Sequence, residues 1–514
     1  MARKKLFAAI DVGSHEIQMQ IAELSKGELP QTVETIRRTL PVGTDTYVSG
    51  KISQPVLEAC IAVLQGFVEQ LRTYRIGAYR AVATSAFREA SNRAFALDQI
   101  NRSSDLDIEV LSNAEERAYH ILATSARMEH FNELIRQGTL LVDIGAGSIQ
   151  VTVYDKQQFI FSQNMLLGSL RIRELLSDLE RRAGDFTGLM EEYISSDLDY
   201  YHLLEPKGIL YKNLIVLGGE MAYLKKLAGY DPEALAVLSG KQFDQLYQQL
   251  LDSRPLDLSL NRDIPAEHAT LLLPAAIIMR KFTRFTGVNS ILLPTATLCD
   301  GILIDFARKK HGFVPEHDLN SDVISACRNI AKRFRIDLRH TDFVEKQALL
   351  IFDETSRLHR LNSRQRLLLQ AAAILHDCGK YVNMSKHNIR SYNIIMATEL
   401  IGLSRRERDI VAWTARFHTG KTFSDESSYT DLDAADQLVI AKLSALLRLA
   451  DALDTAHQQK ISEISVQIDE SELILSVVSR QEVTLELWSL EKKGELFREL
   501  FGCQPKIKIR RMTL

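Results

Sequence analysis

In "LVDIGAGSIQVTVY", residues 141–154, an apolar run ends in Asp143, a turn of small residues follows, and β-branched positions continue the chain. Near the N-terminus, "LFAAIDVGSHEIQMQIAEL", residues 6–24, repeats this pattern around Asp11. Apolar runs on both sides of a glycine-containing turn predict a β-hairpin. Two copies far apart in the chain predict a duplicated α/β lobe rather than a short-period repeat.

The bulk composition sets limits on the class of protein. A chain of 514 residues predicts several domains. With 63 Lys and Arg against 66 Asp and Glu, the net charge of -3 argues against a general affinity for nucleic acid. Five cysteines without a Cys-x-x-Cys spacing suit a reducing cytoplasm. The apolar runs fall short of the ~20 residues that span a bilayer. We therefore expect a cytoplasmic protein.

The pattern along the chain changes twice. Strand-like and helix-like segments alternate over the first three hundred residues, helical segments follow from about residue 320, and mixed signals return near the end. We predict two α/β lobes over residues 1–130 and 131–305, an all-α domain over 306–460 and a small α+β segment over 461–514.

The two glycine hairpins have the chemistry of a phosphate site. Such turns expose backbone N–H groups, and small residues let phosphate oxygens approach them. Asp11 and Asp143, at the mouths of the turns, suit a divalent cation or a water molecule. One copy alone is more simply a β-hairpin with an Asx turn, but two copies favour a clamp. The predicted hairpin ligands of phosphate are Asp11, Gly13, Ser14, His15, Gly145, Ala146, Gly147 and Ser148.

Two further segments favour phosphate chemistry. "AVATSAFREA", residues 81–90, leads from a strand into a helix that carries Arg88, an always-charged partner for phosphate. "EVLSNAEERAYHI", residues 109–121, opens a helix with Glu115 and Glu116. Acids at a helix start usually compensate the helix dipole. Beside a bound phosphate, one of them is also a candidate to deprotonate water.

In this order, "DVGSH", "ATSAFREA", "SNAEER" and "DIGAGSIQ" resemble the motifs of the exopolyphosphatase / guanosine pentaphosphate phosphatase family. The resemblance covers residues 1 to about 305. It implies duplicated actin-like, ribonuclease H-like lobes of the acetate kinase–sugar kinase–chaperone–actin superfold. It also implies that Glu116 is the catalytic base and that Arg88, together with the hairpins, binds the phosphate. Asp143 would be an acidic residue of the catalytic site that lies near the metal.

The motifs also depart from the family pattern. His15 replaces an Asn, Ala146 replaces a Gly, and Gln150 stands where a Glu helps to bind metal or water. Glu220, in "VLGGEM", lies near a usual Thr. Gln150 is kept as a third catalytic candidate, although it has no charge. Ala146 is tolerated only with a negative φ, since a Cβ is penalised in the left-handed region.

The helical domain contains a dispersed set of histidines and aspartates. A single one on an apolar helix is more often a hydrogen-bonded core residue than a ligand. Several of them converging from separate helices suit divalent ions that activate water. The domain resembles the HD superfamily of metal-dependent phosphohydrolases. That resemblance implies a mononuclear set of His340, His376, Asp377 and Asp451, and a dinuclear set that adds His387 and His418.

The leading hypothesis is an exopolyphosphatase-like hydrolase that uses Mg²⁺ or another divalent cation. Its substrate would be the terminal phosphate of polyphosphate or the 5′ γ-phosphate of guanosine pentaphosphate. One alternative places the chemistry in the HD-type domain, with a second divalent metal there and a regulatory phosphate in the N-terminal site. Another makes the chain a sensor of polyphosphate or guanosine tetraphosphate. A kinase of the same superfold is least favoured. The family resemblance implies a homodimer, and neither duplex nucleic acid nor membrane is an expected partner.

Overall fold

The computed structural model describes residues 5–420 and 427–510. The chain divides into two compact units, Met1–Leu319 and Asn320–Leu514. The finer domain boundaries at residues 130, 305 and 460 stay predictions.

The first unit begins with a five-stranded sheet in the order β3-β2-β1-β4-β5. Strands β1 and β2 form the first glycine hairpin, and β4 and β5 extend the sheet in parallel from β1. Alternate side chains of β1 enter two cores, with Ile10 on one face and Phe7 on the other, which explains its nearly continuous apolar run. The strands are β1 (Lys5–Val12), β2 (Glu16–Leu24), β3 (Gln31–Thr39), β4 (Tyr79–Ala83) and β5 (Ile108–Val110).

A second sheet repeats this arrangement in the order β10-β11-β9-β6-β7-β8. Here β6 and β7 form the second glycine hairpin, β8 continues it antiparallel, and β9 and β11 run parallel to β6. Apart from the added edge strand β10, the order is that of the first sheet. These strands are β6 (Gly138–Ile144), β7 (Ile149–Asp155), β8 (Gln158–Met165), β9 (Tyr211–Leu217), β10 (Ala236–Ser239) and β11 (Ser290–Leu293). We call the parts built on the two sheets the first and second lobes; the shared order fits the predicted actin-like duplication.

Helices cover both sheets of this unit. They are α1 (Val42–Ser49), α2 (Gln54–Thr73), α3 (Ser85–Glu89), α4 (Arg93–Ser104), α5 (Asn113–Arg127), α6 (Phe131–Leu134), α7 (Ser169–Glu180), α8 (Phe186–Leu204), α9 (Met221–Leu227), α10 (Gly240–Asp252), α11 (Pro255–Arg262), α12 (Ala266–Ala269), α13 (Leu272–Thr286) and α14 (Leu298–His311). Helix α14 follows the second sheet in the chain, yet its Leu298 and Ile302 pack in one core with Phe7 of the first lobe. The chain therefore returns to the first lobe before the second unit.

The second unit is helical and ends in a small three-stranded sheet. Its helices are α15 (Leu319–Arg333), α16 (Leu338–Glu354), α17 (Ser356–His359), α18 (Ser363–Leu375), α19 (His387–Ala397), α20 (Arg405–Arg416), α21 (Ser427–Thr430), α22 (Ala434–Ala452), α23 (Thr484–Lys493) and α24 (Glu495–Phe501), with 3-10 turns at Cys378–Tyr381 and Phe417–Thr419. The sheet contains β12 (Ile461–Asp469), β13 (Glu472–Ser479) and β14 (Gln504–Arg510) in that order. Apolar residues from helices and sheet form one core, so the C-terminal segment packs onto the helices.

Among the described residues, no helix combines the length and the apolar composition that crossing a membrane requires. All five cysteines are buried free thiols. The absence of a disulfide framework agrees with their scattered spacing in the sequence.

Candidate functional sites

A cavity of about 600 Å³ opens in the first unit, where the two glycine hairpins face each other. Its volume is in the range of small-ligand sites. Most of the predicted phosphate-binding and catalytic residues line it. They are Asp11, Gly13, Ser14, His15, Glu116, Asp143, Gly145, Ala146, Gly147 and Ser148.

The two hairpins close in the same way. The Gly13 N–H donates to the Glu16 carbonyl at 3.0 Å, and the Gly145 N–H donates to the Ser148 carbonyl at 3.0 Å. Both contacts join residues three apart immediately after a buried strand. The similar sequences at residues 6–24 and 141–154 therefore form turns with the same backbone hydrogen bond.

Gly147 and Ala146, in the turn of the second hairpin, differ in how strictly their surroundings and backbone conformation require a glycine. A Cβ on Gly147 would lie 1.9 Å from the Tyr47 hydroxyl and 2.3 Å from Ser85 Oγ, so only glycine fits there. Ala146, in contrast, is not among the residues with positive φ. The departure from the family glycine at this position therefore causes no left-handed strain.

Glu116 lies in the first turn of α5, after a capping box formed by Ser112 and Glu115. The cap explains the adjacent acids, because Glu115 holds the helix start while Glu116 faces the cavity. Arg88 donates to Glu116 Oε2 at 2.9 Å and to the Leu111 carbonyl at 2.8 Å. Arg88 is thus held against the proposed base and is not among the residues that line the cavity.

Asp143 at the end of β6 completes a group of possible metal ligands. Carboxylate and imidazole atoms of Glu116, His120 and Asp143 lie within 4.8 Å of one another, and His120 Nε2 is 3.6 Å from Asp143 Oδ2. This donor set fits a divalent cation. His120 was missed in the sequence, although its place one helical turn after Glu116 was a readable signal.

Carboxylates are crowded in this cavity. Burial, followed by the charges of Glu116, Glu16 and Asp143, raises the pKa of Asp11. Burial also raises the pKa of Asp143, while His120 opposes that shift. Burial raises the pKa of Glu220, which lines the cavity beyond β9, to about 7. Since a bound cation would favour the ionised form of each group, these shifts indicate a site suited to positive charge.

Two predicted residues lie in less direct positions. Gln150 pairs with Asp143 across the hairpin but is not among the cavity-lining residues, and its buried amide has no hydrogen bond within the described chain. His15 lines the cavity with both ring nitrogens buried and unpartnered among the described residues. Burial, followed by the nearby His268, lowers the pKa of His15 to about 4, so its imidazole is neutral.

The second unit brings all six residues of the predicted histidine–aspartate set together. His340 Nε2 lies 3.3 Å from Asp451 Oδ1 and 3.8 Å from Asp377 Oδ2. His376 Nε2 lies 3.9 Å from Asp451 Oδ1 and 3.6 Å from Asp377 Oδ2. Metal–ligand bonds of about 2.1 Å place neighbouring ligands roughly 3 to 3.5 Å apart, so this spacing is close to that of a coordination shell.

His387 and His418 converge on the other oxygen of Asp377. Their Nε2 atoms are 3.4 Å and 3.8 Å from Asp377 Oδ1, and 3.1 Å from each other. Asp377 therefore has two histidines near each of its oxygens. Imidazole nitrogens beside both carboxylate oxygens form a donor set that suits divalent cations.

Contacts of the Nδ1 atoms orient three of these imidazoles. His376 Nδ1 lies 2.7 Å from the Ala373 carbonyl, and His418 Nδ1 lies 2.6 Å from the Ala415 carbonyl. His340 Nδ1 contacts Asp454 Oδ2 at 2.9 Å. Since a carbonyl only accepts, His376 and His418 carry their protons on Nδ1 and direct the Nε2 lone pairs into the cluster.

Two lysines that the sequence did not reveal also enter this cluster. Lys380 Nζ contacts Asp377 Oδ2 at 2.5 Å, and Lys493, from α23, contacts Asp451 Oδ2. Burial acts to raise the pKa of Asp377, but neighbouring histidines and Lys380 outweigh it, and the net shift is downward. Lys380 and Lys493 thus place positive charge beside the buried carboxylates.

The sequence model of the Ppx/GppA phosphatase family matches residues 20–310, and the model of Ppx/GppA phosphatase domain III matches residues 324–494. The chain therefore belongs to the Ppx/GppA phosphatase family, as the motifs predicted. It is an enzyme of the phosphoanhydride hydrolase class.

Individual relatives agree with this assignment. The guanosine-5′-triphosphate,3′-diphosphate pyrophosphatase of Aeromonas hydrophila is 22% identical over 488 residues, which are 93% of this chain and 94% of that protein. The crystal structure of an exopolyphosphatase from Cytophaga hutchinsonii has a TM-score of 0.52 at 20% identity, covering 59% of this chain and 98% of that one. That of an exopolyphosphatase-like protein has a TM-score of 0.53 at 20% identity, covering 60% and 98%. These structural likenesses show a shared fold.

Proposed function

We propose that the chain releases the terminal phosphate of inorganic polyphosphate, or the 5′ γ-phosphate of guanosine pentaphosphate, in the cavity of the first unit. One observation carries this proposal: Glu116, His120 and Asp143 converge beside two hairpins that close in the same way. A terminal phosphate between the hairpins would lie within reach of all three side chains.

Different residues of the cavity would bind the phosphate and activate the water in a phosphoryl transfer. Ser14, Ser148 and backbone N–H groups of the turns hold the non-bridging oxygens, and Glu116 accepts a proton from the attacking water. The new bond joins the water oxygen to phosphorus, and the bond to the bridging oxygen breaks, leaving the shortened substrate with that oxygen. Arg88, whose Nη1 lies 2.9 Å from Glu116 Oε2, orients the carboxylate of this base.

Mg²⁺ or another divalent cation is the cofactor we propose for this site. Asp143 and His120, with Asp11 near the first turn, would hold it, which leaves Glu116 to act as the base. A bound divalent cation supplies neutralisation of the charge on the transferred phosphoryl group. Gln150, the partner of Asp143 on β7, adds no charge to this site. On the other side of Asp143 its partner is Leu217 of β9, and Glu220, which follows Leu217, adds a carboxylate to the cavity.

The substrate proposal is tested by phosphate release. Purified protein is incubated with long-chain polyphosphate or with guanosine pentaphosphate, in Mg²⁺ and in EDTA. We expect Mg²⁺-dependent release from at least one substrate, and the faster of the two defines the preference. Tight binding of either compound without release would instead support the sensor alternative.

We further propose that the cluster in the second unit is a divalent-metal centre of the HD type. Its support is the approach of His340 and His376 to one oxygen of Asp377, and of His387 and His418 to the other. His340 Nε2, His376 Nε2 and Asp377 Oδ1 are buried without a hydrogen bond among the described residues. Buried polar atoms of this kind need a partner, and a metal ion provides one.

Metal content tests this second site. Protein loaded with Mn²⁺ or Zn²⁺ and then desalted is measured by elemental analysis, as wild type and as His376→Ala/Asp377→Ala. We expect the double variant to lose about one to two equivalents of metal per chain. His359→Gln is the matched control, since His359 is equally buried but bonds to the Phe352 carbonyl outside the cluster. Equal metal content in all three proteins would refute the site.

The cytoplasmic location and the homodimer implied by the family resemblance stay predictions. Sedimentation of the full chain tests the oligomeric state.

A further inference from the structure

Three hydroxyl groups from separate segments of the first lobe meet at one buried point beside the second hairpin. Tyr47, on α1, donates to Ser14 Oγ at 2.6 Å. Ser14 Oγ and Ser85 Oγ are 2.8 Å apart, and Ser85 Oγ and the Tyr47 hydroxyl are 3.0 Å apart. Each of the three side chains is less than one-tenth exposed. We call this group the hydroxyl triangle.

The proton of each hydroxyl can be assigned. Ser14 Oγ accepts from the Tyr47 hydroxyl and also from the Ala86 N–H at 3.1 Å. A hydroxyl oxygen has two lone pairs, so Ser14 has no acceptor capacity left and must act as a donor. In the triangle it donates to Ser85, which in turn donates to Tyr47. Within the triangle, each hydroxyl therefore donates one hydrogen bond and accepts one.

The second hairpin closes directly against this triangle. The position that a Gly147 Cβ would occupy is 1.9 Å from the Tyr47 hydroxyl and 2.3 Å from Ser85 Oγ. Ser14, Ser85 and Gly147 all line the cavity, whereas Tyr47 is not among its lining residues. Tyr47 thus supports the cavity wall from behind.

Arg171, on α7 of the second lobe, holds Tyr47 in place. Its guanidinium lies 3.9 Å from the centre of the Tyr47 ring. Its Nε donates to the Gly147 carbonyl at 2.6 Å, and its Nη2 contacts both carboxylate oxygens of Glu89 at 2.7 Å. The guanidinium is therefore fixed on three sides, which leaves the tyrosine ring little freedom.

We propose that Tyr47 is a positioning residue for phosphate binding, which makes Ser14 a donor to an oxygen of the terminal phosphate. This inference rests on the proposed function, because it takes the two hairpins as the phosphate cradle. When phosphate binds, Ser14 turns its proton from Ser85 to a phosphate oxygen, and Tyr47 continues to donate to Ser14. The polarised hydroxyl is a stronger donor than an isolated serine.

Tyr47→Phe is the direct test, because it removes one hydroxyl and keeps the ring against Arg171. We measure the Kd for inorganic phosphate by calorimetry in Mg²⁺, and kcat and KM for polyphosphate. We expect phosphate binding to weaken about tenfold and KM to rise with a smaller change in kcat, since a lost buried hydrogen bond costs binding of this order. Unfolding temperatures verify that the variant is folded.

Tyr247→Phe is the matched control. Tyr247 is equally buried, lies under Arg280 at 4.2 Å, and donates to Glu191 at 2.7 Å, all in the second lobe and outside the cavity lining. Its loss removes a similar hydroxyl, so it should affect stability without changing phosphate affinity.

A double-mutant cycle with Ser14→Ala separates positioning from general weakening. Since Tyr47 acts through Ser14, we expect Tyr47→Phe to change phosphate affinity less than twofold once Ser14 is alanine. Independent, multiplying losses would overturn the inference, and so would unchanged affinity in Tyr47→Phe while the wild type binds phosphate. If the wild type neither binds phosphate nor releases it, the proposed cradle fails and the inference fails with it.

Discussion

Two clusters of acids are buried in the described residues, and the pKa of an aspartate in each shifts in opposite directions. In the cavity of the first unit, burial raises the pKa of Asp143, and His120 only partly offsets it. In the second unit, burial also acts to raise the pKa of Asp451, but Lys493 and neighbouring histidines lower it well below its usual value. Burial is common to both clusters, and the difference lies in the built-in positive charge. The charged groups around Asp143 leave its pKa raised, whereas Lys493 and the histidines around Asp451 lower the pKa of that residue.

Removing the proposed base should have the largest effect. Glu116→Gln keeps the shape of the side chain but cannot accept a proton, so we expect kcat for phosphate release to fall about a thousandfold. Glu115→Gln is the matched control, because glutamine also serves in a capping box and Glu115 only caps α5. Equal losses in the two variants would show that the helix start, and not the base, governs activity.

The surplus of buried acid in the first cluster predicts that stability falls with rising pH. The folded-state pKa of Glu220, about 7, lies above its ordinary value of 4.5, so the free energy of unfolding decreases as pH rises from 4.5 to 7. Glu220→Gln should remove this loss, stabilising the chain by about 3 kcal/mol at pH 8 and little at pH 4.

Urea unfolding in EDTA, followed by circular dichroism, measures the difference in unfolding free energy between Glu220→Gln and the wild type at pH 8 and pH 4. Saturating Mg²⁺ should reduce this difference, because a bound cation favours the ionised carboxylate. A stabilisation of the same size at both pH values would contradict the assignment to ionisation.

The second cluster should lose stability in a different pH range. Burial acts to lower the pKa of His340, but Asp451 and Asp454 outweigh it and raise that pKa to about 9. The stabilisation from protonated His340 is therefore complete below pH 6.5 and is lost as pH rises through 9. We expect a loss of about 3 kcal/mol in metal-free protein between these limits, which His340→Gln abolishes.

Tryptophan fluorescence isolates this effect, since both tryptophans, Trp413 and Trp488, lie in the second unit. A pH-independent urea midpoint for the wild type between pH 6.5 and 9.5 would show that the carboxylates do not hold a proton on His340.

The two small residues of the second hairpin give the smallest predicted effects. Gly147→Ala places a methyl group against Tyr47 and Ser85, so we expect kcat/KM to fall about tenfold or more. Ala146→Gly should change kcat/KM less than twofold, because residue 146 does not need positive φ. Steady-state kinetics on polyphosphate compares them, and a larger loss for Ala146→Gly would reverse the order of importance.

Local patterns predicted what short segments determine. The glycine hairpins, the acid pair Glu115-Glu116 at the start of α5 and the His376-Asp377 pair just after α18 are each encoded within about ten residues, and all were readable from the sequence. The family motifs gave the order of these segments, and hence the duplicated lobes.

Contacts between distant segments were not predictable. Arg88 pairs with Glu116, Lys493 reaches Asp451 from another helix, and Tyr47 meets Ser14 and Ser85 only after the first lobe folds. None of these pairs follows from spacing, because side-chain packing between separate elements brings them together. The return of α14 to the first lobe is a further case, since the second sheet precedes it in the chain.

Phosphate release from polyphosphate and from guanosine pentaphosphate in Mg²⁺, measured in parallel for Glu116→Gln and for His376→Ala/Asp377→Ala, shows which unit performs the chemistry. We expect Glu116→Gln to lower release about a thousandfold and the double variant to retain it. Loss of release in the double variant alone would refute the first unit as the active site and place the chemistry in the second.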